Sequence, residues 1–339
     1  MLNLHLPSST PLKNKLIFDF AKAASQAIRD YPQQLTATVF IDGDAHKRVA
    51  STFPFYQMKK VASTTRTMLS HLHKQDQKTT ASLAYAWRST ELQSKGLFYR
   101  RPSADYNLGD MPDLGRSAAH IFDHELGHLV TKDGFKSHKL KNEASADAFA
   151  AIRHFQRFGG KTDDLAAWSA FSAMGFFCGD PGHVTAPVID RICLDAKSLD
   201  FASLSPADTV VAAEYYAATF NPAPQEWSEA NRIYRSVIER YRKSAYLDFD
   251  GIAETMLQQP TRSLAFRLGA GLLDYYFRTS PDSFDEPDWR SRRVKLKERI
   301  DSLGPDGELL YGKIFRDTDG TGQQAASGKP SNPPSALRM

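Results

Sequence analysis

The sequence predicts an α+β protein that is predominantly α-helical, with a small N-terminal sheet and a helical C-terminal lobe. Three observations lead to that class. Strand-like, β-branched runs fall in the first third of the chain. Helical apolar spacing dominates from residue 113 onward. An H-E-x-x-H pentapeptide, His124-Glu125-Leu126-Gly127-His128, lies inside one of the helical runs.

Residues 1–15 carry Pro7, Pro11 and Ser8-Ser9-Thr10 and read as a loose arm. Residues 15–30 place Ile17, Phe20, Ala21, Ala24 and Ile28 on one face, which predicts a helix. Residues 35–41 read as a strand that Asp42-Gly43-Asp44 ends. Residues 55–73 read as a helix, and residues 81–88 and 96–100 as candidate strands. Residues 116–132 then form a helix with Gly134 as its left-handed cap. The next helix, 142–158, stops at Gly159-Gly160, and Thr162 caps a third over 163–177. A Gly/Pro loop, 178–183, leads to a helix over 186–197 with Pro187 in its first turn. Residues 206–220, 225–243, 261–278 and 287–303 complete the helical set. The organisation expected is a mixed α/β region over 1–115, metal-binding helices over 116–200, a helical lobe over 201–315 and a disordered tail over 316–339.

Composition excludes several classes. A chain of 339 residues with 41% hydrophobic content can bury a sizeable core. Its net charge of +4 comes from well-mixed lysines, arginines and acids, which argues against nucleic acid as a partner. No apolar run reaches the ~18 residues of a membrane span. The stretch 16–24, broken by Asp19 and Lys22, is not a signal peptide. The expected location is the cytoplasm, or export without a cleaved signal, as for an injected effector. Cys178 and Cys193 are too few for a disulfide framework or an all-cysteine zinc site.

The chemistry concentrates on histidine and carboxylate. Residues i and i+4 stack on one helix face, so His124 and His128 can grip one zinc ion. Glu125, beside the first ligand, can take a proton from zinc-bound water and pass it on. A catalytic zinc needs a third protein ligand and an open fourth position. Glu143 follows His128 after a helix end and a turn, and an antiparallel return brings it back beside the histidines. Asp147, one helical turn later, can accept the N–H of a ligating histidine and fix its tautomer. Gly127, a poor helix former, suggests close approach of another backbone, and Ala144, Ala146, Ala148 and Ala150 would let the two helices pack closely.

His124-Glu125-x-x-His128 followed by Glu143-x-x-x-Asp147 resembles the gluzincin metallopeptidases. The Glu-x-x-x-Asp-x-x-Ala segment is similar to that of the HtpX and CAAX-protease type, and Phe149-Ala150-Ala151 looks like the ImmA/IrrE type. The likeness covers roughly residues 116–151. It implies zincin-like active-site helices, zinc held by His124, His128 and Glu143, Glu125 as general base, and hydrolysis of peptide bonds in protein or peptide substrates. It also implies that substrate lies extended along a sheet edge, for which 96–100 and 81–88 are the candidates, with Arg100 and Arg101 beside it.

His183, in the Gly/Pro loop, is the candidate donor to the oxyanion of the tetrahedral intermediate, with Tyr215, Tyr216, Tyr275 and Tyr276 as weaker rivals. His120, one turn before His124 on the same face, reads as a polar residue at the helix edge, with a place behind the ligands or lining the cleft as the alternative. His138 and His154 read as solvent-facing. The reading that results is a zinc-dependent metallopeptidase acting on a narrow set of protein substrates. The alternative is a non-catalytic zinc-binding regulatory or sensor module.

Overall fold

The computed structural model describes residues 3–5, 20–32, 38–42, 68–75, 78–85, 113–131 and 139–302. Among these the protein is predominantly α-helical, with eleven α-helices. Strand β1 (Asn3–His5) precedes α1 (Phe20–Asp30), and β2 (Thr38–Asp42), β3 (Met68–Gln75) and β4 (Lys78–Tyr85) follow. The strands pair in the order β1-β2-β4-β3. β1 and β4 flank β2 in parallel, while β3 runs antiparallel to β4, from Met68 opposite Tyr85 to Gln75 opposite Lys78. The helix expected to run through residue 73 is therefore a strand from Met68 on. Met68, Leu69 and Leu72 suit either period, and pairing with the Thr79-Thr80 run of β4 decides between them. The expected loose arm over 1–15 contains strand β1 at Asn3–His5; the rest of that arm, the strand 96–100 with Arg100 and Arg101, the Gly134 cap, His138 and the tail 316–339 lie outside the described residues.

Helix α2 (Leu114–Val130) starts on Asp113, whose carboxylate accepts the Arg116 N–H at 2.8 Å. It ends two residues earlier than the spacing suggests. Thr131 takes an extended conformation, and both its N–H and its hydroxyl bond the Gly127 carbonyl, at 3.0 and 2.9 Å. Helix α3 (Lys139–Phe158) ends at Gly159, whose φ of 63° is the left-handed conformation glycine adopts without strain. The two helices run antiparallel and nearly touch. A β-carbon on Gly127 would stand 2.8 Å from the Ala146 Cα and 3.0 Å from its carbonyl oxygen. Ala144, Ala146, Ala148 and Ala150 are all fully buried, as their small size suggested. Asp123 of α2, itself buried, takes a two-pronged ion pair from Arg157 of α3 at 2.7 and 2.9 Å. Arg153 reaches from the same carboxylate, 3.7 Å away, to Asp30 of α1 at 3.6 Å.

Helix α4 (Asp163–Phe177) is buried on almost every side, the pattern of a helix inside a core. Thr162 makes no side-chain cap to it, contrary to expectation, because its backbone is already helical (φ −88°, ψ −8°) and turns the hydroxyl away from the free N–H groups. A short 3₁₀ turn, Pro181–His183, leads to α5 (Ala186–Asp195), and α6 (Pro206–Phe220) closes the first core. That core joins α1, α2, α3, α5 and α6 to Leu165 and Trp168 of α4. Ala170, Ala173, Met174, Phe176 and Phe177 of α4 enter a second core. Most of its other members come from α7 (Pro224–Ile233), α8 (Arg235–Ser244), α9 (Phe249–Leu257), α10 (Leu264–Thr279) and α11 (Pro287–Asp301), and Val184 and Ala186 join it from the start of α5. Phe171 packs against both.

Two of these helices differ from the sequence reading. The run 225–243 is divided at Tyr234, which leaves helical geometry (φ −91°, ψ 14°). Its buried hydroxyl donates to the Ala265 carbonyl at 2.8 Å, over Gly269, where a β-carbon would collide with it. Helix α9 was not foreseen. Asp248 caps it through the Gly251 N–H at 2.9 Å, and Ile252, Ala253 and Met256 are its buried face. Cys178 and Cys193 are both free thiols. No helix among the described residues is long and apolar enough to cross a membrane.

The contact at Gly127 yields a direct test. Gly127→Ala gains up to ~1 kcal/mol of helix propensity. Forcing the two backbones apart costs about 1–3 kcal/mol. We expect the cost to win, with a net loss of about 1–2 kcal/mol in denaturant unfolding.

Candidate metal centre

Helix α2 presents His124 and His128 one turn apart on the face that meets α3. Their Nε2 atoms lie 3.2 Å apart. Glu143, in the first part of α3, sets its Oε2 3.3 Å from His124 Nε2 and 3.5 Å from His128 Nε2. Three atoms bound at about 2.0–2.1 Å to one tetrahedral ion stand about 3.3–3.4 Å from one another. The observed triangle has that size, so one metal ion can contact all three groups at bonding distance. His124, His128 and Glu143 are the group among the described residues that could hold a metal ion. The cluster is compatible with an H-E-x-x-H-type site.

Asp147 stands behind His124. Its Oδ1 lies 2.5 Å from His124 Nδ1, so in the neutral ring that nitrogen carries the proton and Nε2 offers its lone pair to the triangle. The other carboxylate oxygen accepts a hydrogen bond from the Thr185 hydroxyl. His120 lies 3.7 Å from Asp147 Oδ1. It is not at the helix edge, as expected, but buried, its ring stacked on Trp168 with centroids 4.8 Å apart. The helix face one turn before His124 turns towards α4, and the sequence alone does not place α4 there. His154 is likewise buried rather than solvent-facing, its Nε2 2.6 Å from the Lys161 carbonyl. It shares the inward face of α3 with Ala150, Ala151 and Phe155, so helical periodicity carried a signal for it.

His183 reaches the same place from the 3₁₀ turn. Its Nε2 is 3.5 Å from Oε1 of Glu143, the carboxylate oxygen turned away from the histidine pair. Its Nδ1 is held by Asp180 at 2.7 Å. The ring remains 44% exposed, so it borders open space as well as the centre. Glu125 follows His124 and is half-buried. The tyrosine rivals point elsewhere. The Tyr216 hydroxyl donates to Asp195 at 2.7 Å, and that of Tyr276 faces the Met174 sulfur at 3.8 Å. Tyr215 is exposed and edges onto Tyr216, and Tyr275 edges onto Tyr276. Asp180 and Thr185 were missed in the sequence. At the start of α5 the sequence singles out only Pro187.

Electrostatics follow from this packing. Burial alone would lower the pKa of His124, but the Asp147 carboxylate, by charge and hydrogen bond, and Glu143 after it hold the ring well above the ordinary histidine value. Burial would raise Glu143, yet hydrogen bonds and charge from His124 and His128 hold it well below the usual carboxylate range. Asp147 is also depressed against its burial, by His124 and then His120.

The comparisons add no relative: set against protein-family models, curated proteins and solved structures, the chain matches none of them.

The signs of these shifts give a pH prediction for the metal-free protein. The raised His124 contributes stability that is complete below about pH 6.5 and is lost as pH rises through its folded pKa. Glu143 and Asp147 contribute stability that is present above about pH 4 and is lost as pH falls through their depressed values. Metal binding runs the other way, since the ion must displace the His124 proton. We expect metal affinity to keep rising as pH increases above 7, while the stability of chelator-treated protein falls. Asp147→Asn should flatten both curves. Competition titrations and thermal melts across this range measure them.

Proposed function

We propose that this protein is a zinc-dependent metallopeptidase acting on a narrow set of protein substrates. The observation that carries the reading is the triangle of His124, His128 and Glu143, 3.2–3.5 Å on each side, with Asp147 bonded to the far nitrogen of His124. Two imidazoles and one carboxylate form a neutral-to-anionic nitrogen–oxygen set suited to zinc. Zinc bound there would polarise a scissile carbonyl and make water a stronger acid.

The chain's own residues do the rest. Glu125, on α2 beside His124, takes a proton from the attacking water and delivers it to the departing amine. Asp147 keeps the His124 proton on Nδ1. His183, steered by Asp180, donates a hydrogen bond to the oxyanion that develops on the carbonyl. The N-terminal sheet supplies one wall of the cleft, and substrate pairs with its edge. In the strand order that edge is β3 or β1, whereas the expected strand 81–88 corresponds to β4, which is flanked by β2 and β3.

The test compares wild type with Glu125→Gln. Both should bind one equivalent of zinc by elemental analysis, and the variant should lose about 10²–10⁴-fold in cleavage rate. Proteome-wide cleavage profiling by mass spectrometry identifies the substrates. Retained zinc with no Glu125-dependent cleavage would instead mark a non-catalytic zinc module. His183→Gln should lower kcat about 10²–10³-fold with little change in KM.

A further inference from the structure

Helix α5 begins in an unusual way. Thr185 occupies its N-cap position, and Pro187 sits in its first turn. A threonine there ordinarily accepts a bond from a free N–H of the first turn. Thr185 makes no such bond, although it is fully buried. The serine of a different helix fills the role. Ser172 of α4 accepts the Thr185 N–H at 2.6 Å and the Ala186 N–H at 3.1 Å. It donates its own proton to the His183 carbonyl at 3.1 Å. One hydroxyl has one donor and two acceptor positions, and all three are in use.

That substitution frees the Thr185 hydroxyl, which donates to Oδ2 of Asp147. The other oxygen of Asp147 holds His124 at 2.5 Å. A carboxylate bonded through one oxygen alone can swing about its χ2 torsion. Bonded through both, it has a single orientation. The chain of contacts runs from Ser172 to Thr185, to Asp147, to His124, and its side branch runs from Ser172 to the backbone of His183.

We propose that Thr185 and Ser172 are positioning residues of the metal centre. Thr185 sets Asp147, and through it the tautomer and aim of His124. Ser172 holds Thr185 and His183 in one register, so the ligand side and the His183 side of the centre are built on the same serine. The inference rests on reading His124, His128 and Glu143 as metal ligands, but its effect on His124 exists without metal.

The experiment therefore has two readouts on Thr185→Val, Thr185→Ser and Ser172→Ala, with helicity by circular dichroism as the folding control. The first is the ¹⁵N spectrum of the His124 ring in metal-free protein, followed to a pH at which the ring is neutral, where it distinguishes Nδ1–H from Nε2–H. The second is zinc affinity by competition with a chromophoric chelator. Thr185→Val should mix the two tautomers and weaken zinc binding about 10–100-fold, whereas Thr185→Ser, which keeps the hydroxyl, should stay within about threefold of wild type. Ser172→Ala should weaken zinc binding in the same direction as Thr185→Val. The proposal is overturned if Thr185→Val keeps the wild-type tautomer, or if Thr185→Ser is as impaired as Thr185→Val. A wild-type protein that takes up no zinc would defeat the metal reading, and the ring spectrum would still decide whether Thr185 sets Asp147.

Discussion

The structure around the centre depends on one close contact, that of Gly127 in α2 with the Ala146 backbone in α3. Helices whose facing residues carry ordinary side chains pack with axes about 8–10 Å apart. Absence of a β-carbon at residue 127 lets the two backbones approach so closely that a β-carbon there would stand 2.8 Å from the Ala146 Cα. Across this contact the Glu143 carboxylate on α3 meets two imidazoles on α2 within 3.5 Å. The ion pair of Asp123, one turn before Gly127, with Arg157 of α3 fixes the register of the same helices. Register and distance together decide that residue 143 faces 128 and residue 147 faces 124.

The metal-free centre is a proton-holding site before it is anything else. Two carboxylates and three imidazoles share a largely buried space, and His124, Glu143 and Asp147 are each shifted by their neighbours against the effect of burial. Unpaired charges in such a place would be costly. Here His124 and Asp147 satisfy each other directly. A dication bound by His124, His128 and Glu143 would replace a proton on His124 while leaving Asp147 bonded to Nδ1, so the second carboxylate would serve the charged ring and the metal-bound ring alike. The arrangement needs little rearrangement between the two states, which is the meaning of a preorganised site.

Much of this was legible in the residues. The i, i+4 histidines, the return of Glu143 and the turn of helix that brings Asp147 behind His124 all follow from helical geometry, and Gly127 with its alanine neighbours announced the close packing. Position 183 was readable only as a histidine in a Gly/Pro loop. What brings it to Glu143 is a 3₁₀ turn pinned by a serine eleven residues earlier. Thr185 carried no signal, since its partners Ser172 and Asp147 lie on other helices. His120 and His154 misled for a related reason: a polar residue on a helix faces water unless another helix covers it, and which helix does so is a tertiary fact. The strand at residues 68–75 and the break at Tyr234 belong with these, because pairing with β4 and the hydroxyl's reach to Ala265 overrode local preference.

The histidine-free second lobe is tied to the centre through α4 and through the start of α5, where Val184 and Ala186 enter the second core while Val188, Ile189 and Ile192 enter the first. One end of α4 gives Leu165 and Trp168 to the core behind the metal helices, and the other gives Met174, Phe176 and Phe177 to the core of α7–α11. Ser172 lies between these sets. Its hydroxyl carries the start of α5, the backbone of His183 and, through Thr185, the brace on Asp147. A helix clamped by apolar packing at both ends has little freedom to slide or rotate. The second lobe thus contributes to the centre without lending it any ligand: it immobilises the helix from which the His183 loop and the Asp147 brace are hung. Changes in the packing around Phe176, Phe177 and Tyr234 would reach the metal centre by displacing Ser172, and the path is short enough for each contact along it to be tested by itself.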